Sequence, residues 1–282
     1  MELEPKAVAA AAVLVVLWTL EGVVPFYGEF SGRTGERVRH DLKNLGLGGA
    51  NALLMALLAG GLFLALDAWG EAEGFGVFRM LEWPGWVELI LVILAFDLWM
   101  YLWHRANHRI PFLWRFHRMH HSDPEMDAST GLRFHPGEQL LSGMARLLVI
   151  PLLGVSIAQL AVYEALLLPV ILFHHSNLTI PDWMDRGLRA LVVTPAMHRV
   201  HHSRWQPETD SNYGSVFPWW DRLLGSFRLR EDARTIHLGL DGFDGPGWQS
   251  LGGMLRTPLA PLEGPEDGRK PQGAPPASPV GD

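Results

Sequence analysis

Thirteen histidines stand in this chain, and only His40 and His237 lie outside the stretch from His104 to His202. The rest read HRANH (His104, His108), HRMHH (His117, His120, His121), FHP (His135), FHHSN (His174, His175) and HRVHH (His198, His201, His202). On an α-helix, residues at i, i+3 and i+4 share a face. HxxxH and HxxHH therefore aim two and three imidazoles into one small space. Neutral imidazole is a common protein ligand for Fe, Zn, Cu and Ni. So many convergent imidazoles exceed what one four-coordinate zinc can use, and the spacing predicts a two-metal site. His40 and His237 fall outside the boxes and are expected to be dispensable.

Four other polar residues are candidate ligands or ligand supports. Asp97, Tyr101, His104 and His108 form one stripe along a helix. Asp97 is a carboxylate within an apolar run, which is costly without a partner. It is expected either to accept a hydrogen bond from the far nitrogen of a ligand histidine or to pair with an arginine. His135 precedes Pro136 and either ligates, orients a ligand or caps a helix. Glu138 either supports a ligand or is an ordinary first-turn charge. In FHHSN, adjacent residues point about 100° apart on a helix, so one of His174 and His175 ligates; Asn177 bonds the ligand or turns the chain. Glu164 faces a substrate cavity or lies near a hairpin tip. HExxH, Glu-x-x-His, GxGxxG and Walker patterns are absent, which argues against zincin, ferritin-like and nucleotide chemistry.

The elements that must position these residues are apolar helices. The chain is 48% hydrophobic, has no cysteine and carries twelve tryptophans, a residue favoured at membrane interfaces. Its lack of cysteine excludes disulfides, cysteine-ligated iron–sulfur clusters and haem-thiolate centres. A net charge of −7 gives no support for nucleic-acid binding. Residues 7–24, 45–66 and 86–103 predict transmembrane helices. The acidic MELEPK start argues against a cleaved signal peptide. Residues 140–153 and 155–173 predict either two crossings or one re-entrant hairpin broken at Pro151–Gly154.

Arg33, Arg37, Arg39 and Lys43 follow the first span, whereas Asp67, Glu71, Glu73 and Glu82 follow the second. The positive-inside bias then puts the amino terminus outside and every histidine box, with the carboxyl tail, in the cytoplasm. The expected architecture is all-α: a membrane bundle of about four segments under a cytoplasmic helical cap that holds the histidine-rich di-metal site. Residues 1–85 form the first helices and loops, 86–230 the histidine-box domain and 231–282 an extension. From about 257, Pro, Gly, Ala and Glu predominate and predict disorder.

HRANH, HRMHH and HRVHH, together with DLWMYLWHR, LRFHPGE, FHHSN and NYGSVFPWWDRLLGSF, resemble the fatty acid hydroxylase/sterol desaturase superfamily over roughly residues 86–227. The resemblance implies a membrane-bound, O2-dependent di-iron enzyme that hydroxylates or desaturates a C–H bond of a sterol, fatty acyl or alkylglycerol lipid. Zinc is expected to replace iron in purified protein. The resemblance assigns the ligand role to His104, His108, His117, His120, His121, His198, His201 and His202, and favours His175 over His174. No cytochrome b5-like stretch accompanies the boxes, so electrons are expected from a separate donor of cytochrome b5, ferredoxin or reductase type. The competing class is a metal-handling membrane protein, a transporter or a zinc hydrolase. A transporter would place its ligands near the bilayer midplane, and a hydrolase would need a carboxylate base beside an open zinc position.

Overall fold

The computed structural model describes residues 5–28 and 33–261. Within them the chain is helical, with two isolated β-bridges and no strands. Helix α1 (Pro5–Val23) is followed by α2 (Thr34–Glu73), α3 (Gly85–Arg109), α4 (Pro111–His121), α5 (Pro136–Leu153) and α6 (Ile157–His175). Two short helices, α7 (Asp182–Leu188) and α8 (Pro195–His201), precede a loop-rich region.

Three of these helices, α2, α3 and α6, are long and apolar enough to cross a membrane. Their apolar side chains point outward: Leu53, Leu57, Leu58, Leu62 and Leu64 of α2 are all exposed. Such a surface would drive aggregation in water and is at home in lipid. Helix α1 runs over Pro5–Val23, 19 residues, and Ala10–Val23 within it is apolar. Helix α5 falls outside the three, its 18 residues including Glu138 and Arg146.

Helix α2 is 40 residues long, about 60 Å at 1.5 Å per residue. That is twice a bilayer's hydrocarbon thickness. Its apolar part packs beside α5, where Met55 lies against Gly143. Its first three turns extend beyond, and there Arg37, His40, Asp41 and Asn44 are buried. Helices α5 and α6 form a hairpin. Gly154 takes φ +78° to close α5, and the Ser156–Gln159 capping box opens α6. A Cβ on Gly76 would stand 2.3 Å from the Gly154 Cα, so the loop after α2 closes against the hairpin tip only because both are glycine. Arg79 fastens this end through Asp67 and the Gly154 carbonyl.

The histidines all gather at the other end. There the C-termini of α3 and α6 meet the N-termini of α2 and α5, with α4 and α8 across them. Pro111 starts α4 after an extended Ile110, which turns the chain sharply between the first two boxes. Tail residues 257–261 are not disordered as expected. Thr257 and Pro258 are buried in a short 3₁₀ turn. The Arg118 guanidinium donates to the carbonyls of Thr257 (2.5 Å), Ala260 (2.6 Å) and Pro261 (2.8 Å), which is what composition alone could not reveal. Residues 262–282 lie outside the described residues.

Candidate metal centre

Nine histidines converge in two adjoining groups. His104 and His108 come from the last turns of α3, His117 and His121 from α4, and His201 from α8. His120 of α4, His175 at the end of α6, and His198 and His202 around α8 form the second group. Within each group the candidate ligand atoms lie within 4.8 Å of one another. The i, i+3 and i+4 spacing of α4 explains the division: His117 and His121 face one group while His120 faces the other.

Hydrogen-bond directions fix the tautomers. His104 Nδ1 lies 2.9 Å from the Tyr213 carbonyl, and His201 Nδ1 lies 2.6 Å from the Ser211 carbonyl. A carbonyl only accepts, so both Nδ1 atoms carry the proton and both Nε2 atoms are bare. Yet those two Nε2 atoms face each other at 3.1 Å. At His175, Nδ1 donates to the Ile171 carbonyl at 2.8 Å, so its Nε2 is also bare; it stands 3.1 Å from His120 Nε2 and 2.9 Å from His198 Nε2. Opposed lone pairs repel unless a cation lies between them. Two nitrogens each about 2.1 Å from one metal stand about 3.0–3.4 Å apart. The buried ring nitrogens of His108 likewise have no hydrogen-bond partner. The donor set therefore fits a metal ion, and its all-imidazole character suits iron, zinc, copper or nickel.

The imidazoles are held neutral. Burial, with the neighbouring rings adding to it, keeps His120, His121, His198 and His202 well below the ordinary histidine value. Burial pushes His201 down to about 3. Neutral rings at pH 7 are what metal binding requires.

The other expected residues divide. Glu138 sits in the first turn of α5 and accepts from His117 Nδ1 at 2.8 Å, so it orients the His117 ring with Nε2 facing the cluster. His135 does not enter the site. Its Nδ1 accepts from the Gly137 amide at 2.9 Å and so caps α5, and its Nε2 donates to the Leu255 carbonyl at 3.2 Å, so both nitrogens are occupied. Asn177 pairs on both sides with the Tyr27 backbone and ties the chain after α1 to the end of α6. His174 stands outside both groups, its ring 4.0 Å from that of His198. Glu164 pairs at 3.6 Å with Arg146, which joins α5 to α6.

Asp97 touches neither a histidine nor an arginine in the way the sequence suggested. It accepts from Tyr163 Oη (2.7 Å), Trp220 Nε1 (2.9 Å) and the amides of Val216 and Phe217 (both 3.2 Å). Asp221, unanticipated, binds the amides of Tyr213 (2.8 Å) and Gly214 (2.9 Å). The two carboxylates thus clamp one loop by its N–H groups. That loop turns at Asn212, whose φ is +51°, and presents the Ser211 and Tyr213 carbonyls to His201 and His104. Also unanticipated is Asp210, 3.6 Å from His108 Nδ1. The only signal for these residues was their place in the polar-aromatic run after HRVHH. His40, expected to be dispensable, is buried and sits 2.9 Å from Asp123, directly beyond the second box.

A profile described as fatty acid hydroxylase matches residues 89–226, the segment that carries all nine converging histidines. An ornithine lipid hydroxylase of Rhizobium tropici is 29% identical over 161 residues, covering 57% of this chain and 48% of that protein. An alkylglycerol monooxygenase of Danio rerio is 32% identical over 165 residues, covering 55% of this chain and 34% of its own. A cholesterol 25-hydroxylase-like protein of the same fish is 29% identical, covering 56% of this chain and 60% of its own. The chain thus matches between about a third and three-fifths of these relatives' length. No solved structure matches. With its boxes, its convergent imidazoles and these relatives, the chain belongs to the fatty acid hydroxylase superfamily.

Proposed function

We propose that the protein is a membrane-bound di-iron monooxygenase that hydroxylates a C–H bond of a lipid. The observation that carries this is the opposed bare Nε2 atoms of His104 and His201, with the bare Nε2 of His175 turned toward His120 and His198, in a shell without thiolate or carboxylate ligands. His104, His108, His117, His121 and His201 would hold one iron, and His120, His175, His198 and His202 the other. When bound, the two irons supply activation of O2 for attack on an unactivated C–H bond. The overall balance is R–H + O2 + 2e⁻ + 2H⁺ → R–OH + H2O. Desaturation of the same substrate instead removes two hydrogens. The two electrons come from a separate cytochrome b5, ferredoxin or reductase-type donor.

The chain's own residues fix the geometry of that chemistry. The Ser211, Tyr213 and Ile171 carbonyls and the Glu138 carboxylate hold four imidazoles in the tautomer that points Nε2 inward. The burial of the cluster excludes bulk water. A lipid would enter from the bilayer side, between the spans beneath the histidines. We assign the histidine end to the cytoplasm, because Arg37, Arg39, Lys43, Arg105, Arg109, Arg115 and Arg118 lie at that end, opposite Glu71 and Glu73. In this reading α5 crosses with α6 as a complete hairpin, since its 18 residues reach about 27 Å.

Lipid mass spectrometry of membranes with and without expression tests the reading. Gain of one oxygen, or loss of two hydrogens, in one lipid class is the expected result. An unchanged lipidome with iron-loaded protein and a working reductant would refute it. The related names point to alkylglycerols, ornithine lipids and sterols as the first classes to examine.

A further inference from the structure

Trp183, Leu191, Leu223 and Leu224 are exposed, at 71%, 62%, 73% and 44%, although none of them belongs to a span. They lie on segments to either side of the third box, and two hydrogen bonds make them one surface. Trp219 Nε1 donates to the Ala190 carbonyl at 2.8 Å, and the Arg222 guanidinium donates to the Arg189 carbonyl at 2.6 Å. The short helix Trp219–Leu223 is thereby tied to the turn that closes α7. We propose that this face is an interfacial docking surface that dips into the bilayer, its occupant being membrane phospholipid.

Depth argues for lipid. Asp97 is the midpoint of α3 (Gly85–Arg109), a helix long and apolar enough to cross a membrane. Its carboxylate holds the indole of Trp220 and the amides of Val216 and Phe217. The chain entering the helix Trp219–Leu223 therefore lies at the level of that midpoint, about 18 Å from either end of α3. Phe217 packs against the apolar core shared by α3 and α6, and Trp219 stacks on it with ring centroids 4.5 Å apart. The exposed face thus grows out of the spans themselves. Irregular backbone at such depth must satisfy its own polar groups, and this backbone does so. Asp97 takes two amides, the Val193 amide donates to the Val216 carbonyl, and Trp219 and Arg222 donate to the carbonyls of Ala190 and Arg189. The residue types agree. Tryptophan favours the headgroup level, and the exposed Arg186 and Arg222 stand among the apolar side chains, where arginine reaches phosphate.

The contact reaches the metal centre. Asp221, in the same short helix, binds the amides of Tyr213 and Gly214, and so holds the loop whose carbonyls orient His104 and His201. Lipid on the exposed face would fix the depth at which the histidines meet the bilayer. The chain has no cysteine, so single cysteines can report on this face without background. The test needs neither metal nor turnover, and its outcome is independent of the di-iron reading. Trp183→Cys and Leu223→Cys, each carrying a nitroxide, are placed in phosphatidylcholine–phosphatidylglycerol nanodiscs beside His237→Cys at an exposed position. The native side chains at 183 and 223 are 71% and 73% exposed, so cysteine there removes little packing. Collision with O2, which concentrates in lipid, is compared with collision with a water-soluble nickel chelate. At 183 and 223 the ratio of O2 to nickel collisions should exceed that at 237 severalfold. If either label meets nickel as freely as the label at 237, the face lies in water and the proposal fails. If either is shielded from both reagents, protein covers the face, a second copy or a partner, and the proposal fails as well.

Discussion

Asp97 and the histidine centre lie within two helical turns of each other on α3, and both are polar islands inside an apolar bundle. They are built on opposite rules. Around Asp97 every lone pair meets a donor: a tyrosine hydroxyl, an indole N–H and two amides. Nothing is left over, so the carboxylate is structural. Around His104 and His201, the donors point outward to carbonyls and the lone pairs point at each other. A closed network holds the fold; an open one is waiting for a ligand. Two polar groups near each other on α3 therefore do different work, and the direction of the protons separates them.

The largest break in that contrast comes from the open network. His201→Ala and His175→Ala each remove an inward Nε2 while leaving α2, α3 and α6 untouched. Both variants should insert normally, lose bound metal and fall in lipid oxidation by more than ~100-fold, since a lost ligand costs more than the 10–100-fold of a lost ligand support. Normal metal content in either, measured by mass spectrometry on membrane-extracted protein, would remove that residue from the ligand set. Glu138→Ala takes away only the acceptor behind His117. Its activity should fall about 10–100-fold with metal affinity reduced to match, and Glu138→Gln, which keeps an acceptor oxygen, should recover part of it.

Breaking the closed network should look different. Asp97→Asn turns an amide donor toward groups that already donate, at a cost of about 2–4 kcal/mol. The expected result is a lower Tm with metal still bound, and a several-fold loss of activity as the loop carrying Ser211 and Tyr213 loosens. Complete metal loss would mean that Asp97 acts on the centre more directly than its hydrogen bonds indicate. Acid offers a gentler probe of the open network. Burial lowers His201 from 6.5 to about 3 in the folded chain. Below pH 6.5 the unfolded chain therefore takes up protons that the folded chain refuses, and stability falls as pH drops toward 3. Chelator-treated protein should melt earlier at pH 5.5 than at pH 7.5, and metal-loaded protein should release metal over the same range. A Tm that rises on acidification would show the histidines to be charged in the fold.

The boxes themselves were legible because their information is local. Spacing of three and four residues puts His117, His120 and His121 on one side of a helix whatever surrounds it, and the apolar runs of α2, α3 and α6 announce spans by length. What was not legible depends on partners far away in sequence. Asp97 meets Tyr163 and Trp220, 66 and 123 residues on, and no periodicity predicts either meeting. Asp221 and the Ser211 and Tyr213 carbonyls act through the backbone of a loop, where side-chain identity says little. For His135 the sequence left ligand, ligand support and helix cap open, and the fold takes the cap. The tail at 257–261 looked disordered by composition, yet three carbonyls on one buried arginine hold it in place.

The two histidines outside the boxes make the smallest and sharpest comparison. They look alike in the sequence: isolated, without histidine neighbours, and far from HRANH and HRVHH. His237 is exposed, and the contact it makes with Arg204 is through its own backbone carbonyl. His237→Ala removes only a solvated ring, so Tm, metal content and lipid oxidation should all stay at the unmutated level, within about 0.5 kcal/mol in stability. His40→Ala empties a buried position that faces Asp123 at 2.9 Å and leaves that carboxylate short of a partner. It should cost several kcal/mol, on the order expected for an uncompensated buried charge. Parallel melting curves of the two variants decide the matter. Equal curves would mean that burial and pairing at His40 carry no energy.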